Sequence, residues 1–190
     1  MKKTVLALCL VGSYCIGHAQ AHPDFGIKAG LNIASLSSSD NTNFKSKASF
    51  HLGGLVHIHV SRYFAVQPEV VYSEQGAKVT TGNMESKYKF NYVNIPVLLQ
   101  YLAGNGFRLE TGPQLGLLTS AHTETGNVEV NVKSDINSTD FSWAFGAGYL
   151  SHTRLGFDAR YNVGISDISK SGSTKLRNNV VQLGIFYQFD

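Results

Sequence analysis

Cysteine is nearly missing from this 190-residue chain, and its two copies, Cys9 and Cys15, both fall in the first fifteen residues. Beyond them there is no thiol, which excludes a disulfide framework, a thiolate metal site and a cysteine nucleophile. After residue 21 no stretch approaches 18 consecutive apolar residues, so transmembrane helices are excluded, although strands of a membrane barrel are not. Excess charge is also lacking. There are 16 Lys and Arg against 13 Asp and Glu, and without Lys2 and Lys3 the balance is 14 against 13. Such a chain has no electrostatic footprint for nucleic acid, and its basic residues form no aromatic-interleaved patch. No G-x-G-x-x-G, Walker A or H-E-x-x-H string occurs, leaving nucleotide and zinc-protease chemistry without support.

What the chain does have begins with a leader. "MKK" is a positive n-region, "TVLALCLVGSYCIG" an apolar h-region, and Ala19-Gln20-Ala21 an A-x-A cleavage site. Residues 1–21 are therefore read as a secretory signal peptide cut after Ala21, and residues 22–190 as one domain. A lipoprotein would need a small residue before its cysteine, where Leu8 and Tyr14 stand.

After the leader, period-two alternation dominates. It predicts eight strands, at 24–36, 47–60, 64–75, 88–102, 106–119, 140–150, 154–166 and 178–189. The connections alternate in length. "SSSDNTNFKSK", "GAKVTTGNMESK", "AHTETGNVEVNVKSDINSTD" and "SDISKSGSTKLRN" are long and polar, while those around Ser61-Arg62-Tyr63, Gly104-Asn105-Gly106 and Ser151-His152-Thr153 are tight. Outer-membrane barrels sort their loops in this way, with short periplasmic turns and longer external loops. The fold class expected is all-β, an eight-stranded antiparallel up-and-down transmembrane barrel.

The two faces of each strand agree. Strand one sets Phe25, Ile27, Ala29, Leu31 and Ile33 against Gly26, Lys28, Gly30 and Asn32. Strand seven sets Leu155, Phe157, Ala159, Tyr161, Val163 and Ile165 against Arg154, Gly156, Asp158, Arg160 and Asn162. The bulky apolar set is assigned to lipid, where a charge costs about 2–4 kcal/mol at mid-bilayer, and the small and charged set to a narrow lumen. A soluble lipocalin-like barrel would reverse the faces. Placing Val56 and Ile58 on the same face as Val66, Pro68 and Val70 requires an odd-length turn, such as three residues at 61–63. Phe64, Tyr101, Phe107, Tyr149, Tyr187 and Phe189 gather near the short turns, as an interfacial aromatic girdle would. The last strand, "VQLGIFYQFD", is expected to close the barrel against the first.

Six segments, "GIKAGLNIASL", "FAVQPEVVYSEQGAKV", "YVNIPVLLQYL", "RLETGPQLGLLTSA", "GFDARYNVGISDI" and "VVQLGIFYQF", resemble the PorT-like outer-membrane β-barrel family of Bacteroidetes. The similarity runs in order through nearly the whole mature chain, with Q-P-E, N-I-P and G-P-Q-L-G its more specific parts. The resemblance implies an eight-stranded outer-membrane barrel distantly akin to OmpA and OmpX, and no single activity. The name-giving member is associated with type IX protein secretion, and no residue motif carries that role over. The chain departs from the usual aromatic terminus by ending in Asp190 after Phe189.

Inward-facing Lys28, Arg108 and Arg160 are matched in number by Glu69, Glu110 and Asp158. Buried charges need partners, so these six are expected to pair and plug the lumen as a structural network. His51, His57 and His59 share the inward face of strand two, with Glu69 on the next strand. Neighbours two apart on a strand lie about 7 Å from each other, a wide bite for one metal even with Glu69 as a further ligand. Ordinary lumen hydrogen bonding is expected there. Neither a glycosidase pair (Glu69, Glu110) nor a rim hydrolase (His122, Glu124 and nearby serines) has the supporting cleft or convergence. No catalytic residue, cofactor or metal is expected. The expected function is a structural or interaction barrel working through its external loops. A small transport pore is the alternative, and a lipid-modifying enzyme barrel the third reading. The expected partners are outer-membrane lipid and proteins at the external loops, with no nucleic acid and a monomeric barrel.

Overall fold

The computed structural model describes residues 23–40, 44–81, 84–126, 128–170 and 175–189. The leader, including Cys9, Cys15 and the Ala19–Ala21 site, lies outside the described residues, as do Asn127 and Asp190. Nine strands follow in order: β1 (Asp24–Ser38), β2 (Lys45–His59), β3 (Phe64–Thr81), β4 (Met84–Leu102), β5 (Phe107–Thr125), β6 (Val128–Asn131), β7 (Thr139–Leu150), β8 (Leu155–Gly164) and β9 (Leu176–Gln188). Eight of them form a closed antiparallel ring, in the order β1-β2-β3-β4-β5-β7-β8-β9, with β9 pairing back onto β1. Closure removes every sheet edge within the ring, which lets strands sit in hydrocarbon with all backbone groups paired.

β6 is the strand outside that ring. It pairs with β5 alone, from Thr125↔Val128 to His122↔Asn131, in a segment that sequence patterning reads as loop. The strands are also longer than the alternation implies. β3 and β4 stay paired up to Thr81↔Met84, and β4 and β5 up to Ser86↔Thr125, so most of the polar stretch at 76–87 is ladder rather than connection. Lys and Thr on both faces hide the period-two signal there, because this end of the barrel has no lipid face to keep apolar.

At the other end the turns are short. Ile58 pairs with Val66 and His59 with Ala65, which fixes a three-residue turn at 61–63 and keeps Val56, Ile58, Val66 and Pro68 on one side. Phe64, Tyr101, Phe107, Tyr149, Tyr187 and Phe189 all point outward near these turns. Phe64 packs edge-on against Tyr101 and Tyr187 against Phe189, at centroid distances of 5.6 and 5.4 Å.

The burial alternation gives an inside-out core. On β8, Leu155, Phe157 and Tyr161 are exposed on the outside, while Asp158, Arg160 and Asn162 are buried inside. On β9, Leu183 and Ile185 face out and Gln182 and Phe186 face in.

Candidate functional site

The lumen is layered along the barrel axis. Its middle holds a connected set of charges. Arg160 on β8 forms a two-pronged contact with Glu69 on β3, donating from Nη2 to Oε1 at 2.9 Å and from Nη1 to Oε2 at 3.1 Å. Its Nε donates to Glu110 Oε1 on β5 at 2.9 Å. Lys28 on β1 donates to Asp158 Oδ2 at 2.7 Å and lies 3.4 Å from Glu69 Oε2. Gln67 and Gln100 complete the carboxylates, donating to Glu69 Oε1 at 2.8 Å and to Glu110 Oε2 at 3.0 Å. These side chains are almost wholly buried. Charges so placed survive only when paired and hydrogen-bonded, and here each has at least one partner.

Glycines make the space. A Cβ on Gly184 would lie 2.4 Å from Asp158 Oδ1, and one on Gly146 would lie 2.8 Å from Glu110 Oε1. The strands on either side can therefore approach carboxylates that a larger residue would displace.

Of the six charged residues singled out by sequence, five come together. Arg108 does not. It is buried, its Nε and Nη1 have no hydrogen-bond partner, and its guanidinium lies 5.2 Å from the Phe186 ring centroid. Matched numbers of charges do not fix pairing. The position of β5 in the ring brings Arg108 towards the short-turn mouth, below the carboxylates that Lys28 and Arg160 occupy.

His51, His57 and His59 share one face of β2, yet play different parts. His51 Nδ1 bonds Asn32 Oδ1 at 2.8 Å and His57 Nδ1 bonds Gln67 Oε1 at 3.3 Å. His59 is exposed at the mouth, its ring edge-on to that of His57 at 4.5 Å. Among the described residues no cluster of three or more His, Cys, Asp or Glu could hold a metal ion. On the rim, Glu124 pairs with Lys89 at 2.5 Å, and His122 Nδ1 lies 4.0 Å from Glu129.

Above the charges lies an amide layer with no net charge. Asn32 donates to Ser73 Oγ at 2.9 Å, Gln182 to Asn32 Oδ1 at 3.0 Å, and Asn162 to Gln182 Oε1 at 2.9 Å. Asn32, Gln182 and Asn162 carry this layer, where sequence patterning marks Asn32 and Asn162 as inward without giving them a role. The inward register of Asn32, four residues from Lys28 on β1, and of Asn162, two from Arg160 on β8, is the signal that marks them.

The loop end is apolar inside. Leu36, Ala77, Phe90, Tyr92, Leu118, Ala121, Ile136 and Ile168 form one buried cluster. Ile136 and Ile168 come from the two long connections on either side of the β7–β8 hairpin. These are stitched together by Asn137 N to Ile168 O at 2.8 Å, Lys170 N to Asp135 O at 3.0 Å, and the Asn137 amide to Asp167 O at 2.8 Å.

A closed eight-strand ring with lipid-type residues outside and a filled polar lumen defines a small outer-membrane barrel. A family model described as "Outer membrane protein beta-barrel domain" matches residues 19–170, more than half the chain, and the chain belongs to that family. No curated protein sequence matches it. Among solved structures it is similar to Neisserial surface protein A (NspA), with a TM-score of 0.59 and 16% identity over 87% of this chain and 97% of that one. It is also similar to Ail, the attachment invasion locus protein of Yersinia pestis. In complex with the heparin analogue sucrose octasulfate, Ail gives a TM-score of 0.55 and 13% identity, over 88% of this chain and 99% of Ail. Ail alone gives 0.51 and 14%, with the same coverage. At these identities the likeness concerns the fold. The protein resides in the outer membrane.

Proposed function

We propose that this protein is a structural or interaction barrel, monomeric in the membrane, whose external loops meet partners while its lumen carries no traffic. The observation that carries this reading is the Arg160–Glu69 contact across the lumen, backed by the apolar cluster at the loop end. Eight strands enclose an interior just wide enough for side chains to fill, whereas water-filled porins use about 16–18. A solute would have to separate buried ion pairs and then apolar packing, and nothing along that route favours the transport-pore alternative. The enzyme reading gains no support from the rim, where Glu124 is engaged by Lys89 rather than His122.

The loop end supports an interaction role in its own right. Val128 and Val130 on β6 are 63% and 53% exposed, on a strand that among the described residues pairs with β5 alone. An exposed strand edge with apolar side chains is a template for added strands or flat apolar surfaces. The PorT-like kinship, with its Bacteroidetes setting, belongs to this proposal, resting on the Q-P-E, N-I-P and G-P-Q-L-G segments.

The test is electrical. Folded protein, verified by its faster migration on unboiled gels, is placed in planar lipid bilayers. A silent bilayer is the expected result. Reproducible single-channel currents that change when Arg160 or Glu69 is substituted would overturn the reading in favour of a pore.

A further inference from the structure

The mouth at the short-turn end is built differently from the rest of the lumen. A cavity of about 410 Å³ opens there, bordered by residues of all three short turns and by the lower ends of the strands. Arg108, Arg62, His57, His59, His152 and Gln188 line it. Asp24 contributes a carboxylate, and Arg154, which donates to the Phe189 carbonyl at 3.0 Å, adds a further guanidinium. Among its ionisable groups, three arginines and three histidines stand against one carboxylate.

Two of these groups are buried with donors that no other described residue meets. Arg108 is 4% exposed and its Nε and Nη1 lack partners; Gln188 is 3% exposed and its Nε2 lacks one. Leaving a buried donor unmet costs free energy, more so for a charged one. The nearest acidic groups do not meet the need. Glu110 bonds Arg160 and Gln100, and Asp158 bonds Lys28 through Oδ2 while its Oδ1 meets no donor, Arg108 included. The Phe186 ring, which lies where a Cβ on Gly156 would stand 2.2 Å away, has the Arg108 guanidinium over its face, 5.2 Å from the ring centroid. A buried guanidinium fork with unmet N–H donors over an aromatic ring is suited to planar or tetrahedral oxyanions.

We propose that this turn-side mouth is a binding site for a phosphate group, with Arg108 and Gln188 supplying the buried donors and His59 and Arg62 the rim. The cavity lies within the usual size range of small-molecule sites, so the phosphate arrives as part of a small ester or a lipid headgroup rather than bare. The site goes beyond the interaction role of the loops, because it lies at the opposite end of the barrel and the ion network separates the two.

The protein is folded in a phosphate-free glucoside detergent and titrated with glycerol 1-phosphate in one arm, and with short-chain phosphatidylglycerol in the other. Binding is followed by calorimetry and by the ¹⁵N resonance of the Arg108 side-chain Nε–H. Saturable binding that moves this resonance is expected. Arg108→Met should weaken it about tenfold or more, the scale of one charge-assisted hydrogen bond. Should that variant fold poorly, His59→Asn with Arg62→Gln, both at exposed positions, tests the same site and should weaken binding several-fold. Lys175→Gln, at the far end, should change nothing. Binding in both arms, or in the glycerol phosphate arm alone, identifies a soluble ester as sufficient, and binding in the lipid arm alone identifies the headgroup. Absence of saturable binding in both arms, or binding indifferent to the mouth variants, overturns the proposal.

Discussion

Arg160 and Glu69 meet across the full width of the barrel. They are 91 residues apart, and their strands are opposite in the ring, joined through β2, β1 and β9 on one side and through β4, β5 and β7 on the other. Their fork therefore acts as a strut between two walls that share no backbone hydrogen bond. Lys28, on β1 between them, touches Glu69 and Asp158 and ties a third wall to the same point.

That geometry predicts a large penalty for breaking one side of the strut. Glu69→Gln should destabilise the barrel by about 3–5 kcal/mol, because it leaves Arg160 partly unpaired in a dry lumen. The double variant with Arg160→Gln should cost less than the sum of the two singles, since Arg160 and Glu69 no longer strand each other, while the loss at Glu110 is common to the double and the Arg160 single. Urea unfolding in lipid vesicles, followed by the fluorescence of Trp143, the one tryptophan, measures both. Additive losses would mean that the two side chains do not sense each other.

A second prediction concerns the outer face. Leu183 is 48% exposed at the middle of β9, so Leu183→Arg should cost about 2–4 kcal/mol and reduce insertion. Thr80→Arg, exposed near the loop end of β3, should be close to neutral because the penalty falls away with depth. Heat-modifiability of the two variants in the same lipid compares them directly. Gln182→Arg is the wrong control, since Gln182 is bonded to both Asn32 and Asn162 within the lumen.

Alternation makes the faces of β1, β8 and β9 readable in the sequence, because lipid permits almost no charge on one side of these strands. The three-residue turn at 61–63 was readable for a related reason: a slip by one residue would exchange the two faces. The solitude of Arg108 was not readable. Charge counting pairs it with a carboxylate, but stagger between strands sets its height, and height is invisible in a list of inward residues. Nor were the extensions of β3, β4 and β5, since ladder hydrogen bonds there are made by backbone whose side chains obey no lipid rule. Inward Phe90, Tyr92 and Leu118 obey the alternation and break its chemistry, as they belong to the buried apolar cluster rather than to the charged layer.

A third prediction is a pH response confined to the loops. The Asp167 carboxylate accepts from the backbone N–H groups of Leu176 and Ser169, each at 3.0 Å, and these bonds hold its pKa below the ordinary aspartate value. A depressed folded pKa means that the contribution is present at neutral pH and is lost as pH falls below about 4 and through the folded value. The amide resonances of Leu176 and Ser169 should therefore titrate together, with a midpoint below that of a free aspartate. Asp167→Asn should abolish the titration while leaving the Arg160–Glu69 layer untouched. A midpoint at or above the free value would mean that the two amides do not bond the carboxylate in solution.

The last prediction fixes which way the barrel faces. The two mouths differ in what they can tolerate. At one, the connection between β5 and β6 passes Gly126 in a left-handed conformation and leads to a strand outside the closed ring. An insertion at Asn127, itself outside the described residues, would lengthen a peripheral hairpin without breaking any ring pairing. At the other, Asn105 sits in a tight turn, its side chain accepting from Phe107 N at 3.1 Å, with Leu150 N bonded to Gly106 O at 2.8 Å. Long loops of such barrels face the exterior and short turns the periplasm. A small epitope at Asn127 should then be labelled by antibody on intact cells, and one at Asn105 only after the envelope is opened. The Asn105 insertion must first show a heat-modifiable band, because a strained turn could prevent folding and hide the epitope for that reason alone. Labelling of a folded Asn105 insertion on intact cells, with Asn127 silent, would invert the barrel. It would also move the cationic mouth to the outside, where the phosphate it meets would be that of the external leaflet.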